Sequence, residues 1–435
     1  MSELRKKHTE VGTCVELFAG GGGLAMGVHR AGFRPLLVNE YAKRAVETLQ
    51  TNPMPGGGKW PLKPGDVRDL VEEFKALDGQ VDVLAGGPPC QPFSLGGVAK
   101  GVEDERNMFP QMFRAIREMR PKAVICENVR GLLRKSFEPY FNYILNELRL
   151  PFVERAEDVT WEEHNDVLEK LLANDSVSAS ERYYVKAMPV NAADYGVPQI
   201  RHRVIIIAFR ADLCADWEKV WDEFAPKQTH SDEALIYSMR EGGEYWKRYD
   251  WVDPEARARA IANLSALNLD NAKTKELVAL QPWRTLRDAI QGIDEFEGHP
   301  LPFVEVDDVR GKRQVGKIPD HFGWPGARVY TGHTPNLLDR PAKTVKAGVH
   351  GVPGGESVMM MDDPTFDGSG YRYMTVRETA RVMTFPDDWQ LAGPRGEKMR
   401  QLGNAVPVKL GKVFADAVAA ALDSVGALDK PGEKR

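Results

Sequence analysis

The sequence predicts an α/β protein, in which a doubly wound, mostly parallel sheet is joined to a smaller, irregular domain. Three observations predict this. Over the first 130 residues, short apolar runs alternate with helical patterns, the rhythm of βαβ units. Glycine-rich and polar residues gather where the strands end, which is where such sheets collect their ligands. From 211 to 339 the rhythm disappears, and aromatic and basic residues take over in an otherwise acidic setting.

In chain order, Thr13–Phe18 reads as the first strand, running into the turn Glu16-Leu-Phe-Ala-Gly-Gly-Gly-Gly-Leu-Ala-Met-Gly27 and a helix from about Leu24. Pro35–Asn39 is the second strand, closed by Asn39-Glu40-Tyr41 ahead of a helix from about Ala42. Gly65-Asp66-Val67 follows the next segment. Val81–Ala85 leads into Gly86-Gly-Pro-Pro-Cys-Gln-Pro-Phe-Ser94, a helix follows Asn107, and Ala123–Glu127 ends in Glu127-Asn-Val129.

A chain of 435 residues with 42% hydrophobic content can bury a large core, enough for two or three domains. No run of 18 apolar residues occurs, and the first residues lead into a strand, which predicts a soluble cytoplasmic protein without a membrane partner. Cys14, Cys90, Cys126 and Cys214 lie far apart, so neither a metal site nor a disulfide framework is expected. Cys14 and Cys126 sit in apolar runs and read as packing residues. The net charge of −5 leaves a polyanionic partner open, since binding depends on where lysine and arginine cluster.

Cys90 is different. Three prolines and a glycine pair fix the loop around it behind an apolar strand, which is how a reactive thiol is presented. The glycine-rich turn after the first strand departs from the dinucleotide fingerprint, because Phe18 stands at the turn and Glu16 ends the strand. Glu16 suits a positively charged amino-acid group, Glu40 a ribose, Tyr41 an adenine face and Asp66 an exocyclic amine. Adenine, ribose and an α-amino acid together describe S-adenosyl-L-methionine.

These motifs, with Gln199-Ile-Arg-His-Arg203, Arg340-Pro-Ala-Lys-Thr-Val345, Arg377-Glu-Thr-Ala-Arg-Val-Met-Thr-Phe-Pro386 and Gln401-Leu-Gly-Asn-Ala-Val-Pro407, occur in the order in which the chain resembles the DNA (cytosine-5) methyltransferases. The resemblance implies an S-adenosylmethionine-dependent methyltransferase fold, with a catalytic domain at 1–210 plus 396–435 and a target-recognition domain at 211–395. It implies the catalytic residues Cys90, Glu127, Arg201 and Arg203. Cofactor contacts are implied at Phe18, Gly20, Gly22, Glu40, Tyr41, Asp66, Val67, Gly87, Pro89, Asn404 and Val406, with S-adenosyl-L-homocysteine as product. Double-stranded DNA is the implied substrate, bound by a monomer in the bacterial nucleoid, with a cognate restriction endonuclease as functional partner. The cytosine must leave the stack to reach Cys90, and the glycines from Gly96 to Gly101 read as a lid over it.

Other readings stay open on the residues alone: a transfer-RNA methyltransferase of the related branch, and a catalytically idle DNA-binding homologue. In the variable region, Asp253–Leu267 and Asn271–Leu280 read as scaffold helices, and Arg310-Gly-Lys-Arg313 with Lys317 as phosphate contacts. Gly348–Gly355 reads as a loop near the DNA backbone or the site where the base is flipped, and Arg377–Phe385 as structural, with Arg377 and Arg381 on its polar edge. The sequence departs from the family pattern twice. Val408 replaces a second proline, and an acidic insertion at about 154–181 reads as a surface excursion or a partner site, opened by the capping box Thr160-Trp-Glu-Glu163.

Overall fold

The structure, a computed structural model of the chain, describes residues 9–89, 107–174, 176–240, 243–292, 299–311, 314–324, 330, 334–347 and 355–428. Cys90, the expected lid, Lys312, Arg313 and most of the Gly348–Gly355 loop lie outside the described residues. Two compact units divide the chain, one bounded Lys7–Val190, His202–Pro226 and Gly411–Arg435, the other Met1–Lys6, Asn191–Arg201 and Lys227–Leu410.

The first unit carries β1 (Gly12–Leu17), α1 (Gly23–Arg30), β2 (Phe33–Glu40), α2 (Lys43–Thr51), β3 (Leu62–Pro64), α3 (Val71–Ala76), β4 (Val83–Gly86), α4 (Phe109–Met119), β5 (Ala123–Val129), α5 (Glu138–Arg149), α6 (Trp161–Asn174), β6 (Tyr183–Asn191), β7 (His202–Arg210) and α7 (Trp217–Phe224). The strands form one sheet in the order β3-β2-β1-β4-β5-β7-β6. β1 pairs in parallel with β2 and β4, β4 in parallel with β5, and β7 antiparallel to β5. Val15, Leu17, Leu84, Val124, Cys126 and Ile206 are buried in one cluster with the helices, which is why these strands read as continuous apolar runs. Strand order turns around at β1 and β4, and the carboxyl ends of strands at such a switch are where sheets of this kind bind their ligands. Cys14 and Cys126 are packing residues inside β1 and β5, as their apolar context predicts.

The acidic insertion is more than a surface excursion. Glu163 and Thr160 form the capping box, with the Thr160 N–H donating to Glu163 Oε2 at 2.9 Å. α6 then buries Leu168 and His164, and packs Trp161, Leu171 and Leu172 on the main core, while Val167 stays exposed. Tyr143 donates to Glu147 at 2.5 Å, and His164 Nδ1 lies 3.2 Å from the same carboxylate. An amphipathic helix with one apolar stripe gains most of its stability from such docking, and a count of its acidic residues misses that stripe.

The second unit carries β8 (His230–Ser231), α8 (Asp232–Arg240), α9 (Glu244–Arg248), α10 (Pro254–Ala262), α11 (Ala272–Val278), β9 (Gln281–Pro282), α12 (Leu286–Ile290), α13 (Val306–Arg310), β10 (Asn336–Leu337), β11 (Val358–Met360), β12 (Tyr371–Tyr373), α14 (Val376–Val382) and α15 (Arg395–Asn404). The chain returns to the first unit along α16 (Val408–Ser424). Asp253 and Asn271 cap α10 and α11, the two expected scaffold helices, by accepting from backbone N–H groups. Tyr245, Trp246 and Tyr249 form a buried cluster with Leu235 and Met239, whereas Trp251 is exposed.

Arg377 and Arg381 correct an expectation: they are buried, not on a polar edge. Arg377 donates to the carbonyls of Pro319, Pro386 and Trp389, and Arg381 grips both oxygens of Asp387 at 3.0 and 2.6 Å. Helical spacing assigns them to a face, but only the folded loops supply the acceptors that make burial of a guanidinium affordable. At Val408, the N–H donates to the carbonyl of Met383 at 3.2 Å, a bond that the proline of the family pattern could not make.

Gly403 explains part of the Gln401-Leu-Gly-Asn motif. A Cβ on it would lie 2.3 Å from the backbone nitrogen of Ala347 and 2.4 Å from the carbonyl carbon of Lys346. Both are backbone atoms, so no flexible side chain can swing aside. Gly403→Ala is expected to destabilise the protein by about 1–3 kcal/mol, as overpacked sites do, read as a lower denaturation midpoint in urea. An unchanged midpoint would mean that the two segments separate freely.

Candidate functional site

β1 carries Glu16 to its carboxyl end, and the chain then turns sharply through Phe18, Gly20 and Gly22, whose φ angles are 59°, 56° and 89°. Two of these are glycines, which adopt the left-handed region freely; Phe18 does so against its steric preference. The turn is fixed from outside, because the Ala19 N–H donates to the carbonyl of Asn39 at 3.0 Å. Glu40, at the end of β2, accepts from the Gly20 N–H and the Ala42 N–H, each at 2.6 Å. Its carboxylate therefore ties the glycine turn to β2, a role that the sequence did not signal.

Glu16 is buried and accepts from the Ala25 backbone, and its Oε2 has no hydrogen-bond partner. Burial pushes its carboxyl well above the usual carboxylate range, and the nearby charge of Glu40 adds to the effect. A buried acceptor without a donor fits a cationic group such as an α-ammonium. Tyr41 is 76% exposed, an open ring face at the end of β2. Asp66 accepts from Arg68 through both oxygens, at 3.0 and 2.6 Å, and these hydrogen bonds hold its carboxyl below the usual range. It also caps the turn Val67–Asp69, with Val67 buried. Arg68 is a partner that the motif reading missed.

On the other side of the sheet's switch, β5 and β7 bring two predicted residues together. Their antiparallel register aligns Glu127 with Ile205 and Val129 with Arg203, and Arg203 Nε lies 2.6 Å from Glu127 Oε1. Both side chains are nearly enclosed, at 10% and 11% exposure. The loop after β4 lies against this pair: a Cβ on Gly87 would come 3.5 Å from Glu127 Oε2, and Asn128 Nδ2 donates to the carbonyl of Pro88 at 3.0 Å. The carbonyl of Pro89, the residue before Cys90, accepts from the Met108 N–H at 3.1 Å. Asn128 thus anchors the proline loop, a function hidden inside the Glu127-Asn-Val motif.

Arg201 goes elsewhere. It is fully buried in the second unit, where Nη1 donates to the carbonyl of Val345 at 2.9 Å and Nη2 to those of Gly403 and Ala405 at 2.8 and 2.9 Å. A catalytic role was expected; the geometry instead makes Arg201 a tie between three motifs, and Gln199 adds a bond from the Val345 N–H to its Oε1 at 3.3 Å. Two arginines separated by one residue would share a face of a regular strand, but β7 begins at His202, so Arg201 lies ahead of the strand and turns to the framework, a boundary that sequence alone does not give. Asn404 is exposed at the end of α15, and Val406 is buried. Among the described residues, no group of three or more His, Cys, Asp and Glu gathers as a metal site, and no helix is long and apolar enough to cross a membrane.

Comparison with known proteins places the chain in a family. The family described as C-5 cytosine-specific DNA methylase matches residues 12–150 and 162–420. The chain is 30% identical over 409 residues to the Type II methyltransferase M.PspPI of Psychrobacter sp., covering 93% of this chain and 78% of that one. It is 29% identical over 425 residues to M.Eco47II of Escherichia coli, covering 97% and 82%. It is 28% identical over 410 residues to M.NgoMIV of Neisseria gonorrhoeae, covering 94% and 98%. Among solved structures, the S. pombe Dnmt2 methyltransferase shares the fold, with a TM-score of 0.51 at 16% identity over 95% of this chain and 98% of that one. With the family matched across both units, the chain belongs to the C-5 cytosine-specific DNA methylases and is a DNA (cytosine-5) methyltransferase.

Proposed function

We propose that the protein methylates carbon 5 of a cytosine rotated out of duplex DNA, through a covalent adduct of Cys90, and that it is the modification enzyme of a restriction-modification system. The observation that carries this reading is the Glu127–Arg203 ion pair beside the Gly87–Pro89 segment that leads to Cys90. An acid and a permanent cation next to a thiol-bearing loop suit activation of a pyrimidine ring. The Cys90 thiolate adds to carbon 6, which makes carbon 5 nucleophilic. Glu127 delivers a proton to N3 as negative charge builds on the ring and accepts from the exocyclic amine; Arg203 holds the O2 edge. Once carbon 5 carries the methyl group, its proton passes to water as the bond to Cys90 breaks, N3 returns its proton to Glu127, and the ring is restored. Taking the base out of the stack costs about a few kcal/mol.

S-adenosyl-L-methionine supplies the electrophilic methyl group when bound, and S-adenosyl-L-homocysteine is what remains. The orphaned Oε2 of Glu16 supports that fit. Phe18, Gly20, Gly22, Glu40, Tyr41, Asp66, Val67, Gly87 and Pro89 are the residues of the first unit that would hold it, and the resemblance adds Asn404 and Val406. Glu16→Gln is expected to raise KM for the cofactor about tenfold or more, the scale of a lost charge-assisted hydrogen bond, with little change in DNA affinity. A KM within twofold of wild type would remove Glu16 from the cofactor site.

Residues 1–210 with 396–435 carry catalysis in this reading, and 211–395 target recognition, in a cytoplasmic, nucleoid-associated monomer paired functionally with a restriction endonuclease. The test is incubation with labelled S-adenosyl-L-methionine and duplex DNA carrying 5-fluorocytosine, whose fluorine blocks the last elimination. A complex stable to denaturation supports the reading. Absence of an adduct, together with transfer to RNA, would move the assignment to the transfer-RNA branch.

A further inference from the structure

We propose that Arg130, Arg134 and Lys135 form a clamp that grips the phosphates of the DNA strand beside the Glu127–Arg203 pair. The clamp rests on the reading of Glu127 as a residue at the reacting base. It follows from where the chain goes after β5. The strand that carries Glu127 continues directly into two short 3-10 turns, Arg130–Leu133 and Lys135–Phe137, joined by an extended Arg134. Three residues span at most about 10 Å, so Arg130 stays within about three nucleotide steps of Glu127.

The turns are a built mount. Leu132 is completely buried, and Leu133 and Phe137 pack on the main core. The Arg134 N–H donates to the carbonyl of Gly131 at 3.3 Å, and the Phe137 N–H to that of Arg134 at 2.8 Å. Apolar residues point down and Arg130, Arg134 and Lys135 are exposed, so the cations emerge from a backbone that is already ordered. Binding then costs side-chain entropy only.

Among the described residues, none of the three side chains has a hydrogen-bond or ion-pair partner. Elsewhere on the same unit, Arg34, Arg44, Arg68, Lys75 and Arg210 each lie against a carboxylate. Cations without an internal counterion keep their full attraction for an external one. The charge of Arg130 reaches the candidate active site: the imidazole of His202, next to Arg203, is held below its usual range by burial and then by the charges of Arg130 and Arg203. Because the three charges read phosphate and not base edges, they act on every sequence alike and fix the strand while the base is rotated out.

The test measures duplex DNA binding and methylation by the full-length protein with Arg130, Arg134 and Lys135 all replaced by Ala. Losing three phosphate contacts is expected to flatten the slope of log K against log salt by about 2.7, so that the wild-type advantage shrinks about 40-fold between 50 and 200 mM salt. KM for DNA should rise, while KM for the cofactor and the rate at saturating DNA stay within a few-fold. The charge-conserving pair Arg130→Lys and Arg134→Lys should restore the slope. An unchanged slope in the folded triple variant, or no restoration by lysine, would overturn the clamp. If the triple variant does not fold, Lys135→Gln alone should lower the slope by about 0.9, and an unchanged slope there has the same adverse meaning. Failure of the wild-type protein to form the fluorocytosine adduct would instead overturn the reading of Glu127, whatever the salt slope does.

Discussion

Cys90→Ser is expected to lower methyl transfer by on the order of 10⁴-fold or more while leaving duplex binding within a few-fold of wild type. The reason is chemical. Carbon 5 of cytosine is too weak a nucleophile to accept a methyl group unaided, and addition at carbon 6 is what activates it. A serine hydroxyl at the same place has the right size but remains protonated at neutral pH, whereas a thiol is partly ionised and intrinsically more nucleophilic. The loop that precedes Cys90 is fixed by the Asn128 bond to Pro88 and the Met108 bond to Pro89, so the exchange should not disturb the neighbouring backbone. Single-turnover transfer and gel-shift affinity, measured on the same preparation, separate the two effects. Turnover within tenfold of wild type would remove Cys90 from the mechanism.

Glu127→Gln is expected to reduce kcat by about 10²-fold or more, with KM for DNA changed far less. Gln can still accept at one oxygen, but it cannot deliver a proton to N3. It also removes the negative partner 2.6 Å from Arg203 Nε, in a pair whose side chains are only 10% and 11% exposed. The guanidinium would then lose the group that aims it. Both losses act on the activated ring and not on ground-state binding, so they belong in kcat. A fall of less than threefold would reduce the role of Glu127 to shape.

Much of this site is legible in the sequence because each residue lies at the end of a strand, and strand ends are local. Glu16, Glu40 and Glu127 can be found from an apolar run that stops, and the pattern of β1, β2, β4 and β5 follows from apolar runs alone. What those residues touch is less local. Glu40 accepts from Gly20 across 20 positions and Asp82 lies against Lys122 across 40, and neither pairing leaves a signature in either segment. The insertion shows the same limit. The capping box at Thr160 is a four-residue signal, while the docking of Leu168 and His164 depends on a helix that precedes them by about two dozen residues.

By itself, the sequence determined the α/β class, the strand ends, the order of the motifs and the residue types able to carry the chemistry. All of these depend on near neighbours and on side-chain identity. Tertiary structure alone decided which arginine faces which partner. The register of β7 against β5 brings Arg203 to Glu127, and the close approach of Val345, Gly403 and Ala405 takes Arg201 into the framework. A guanidinium goes where its acceptors are, and those acceptors come from segments more than seventy residues away in one case and more than a hundred in the other.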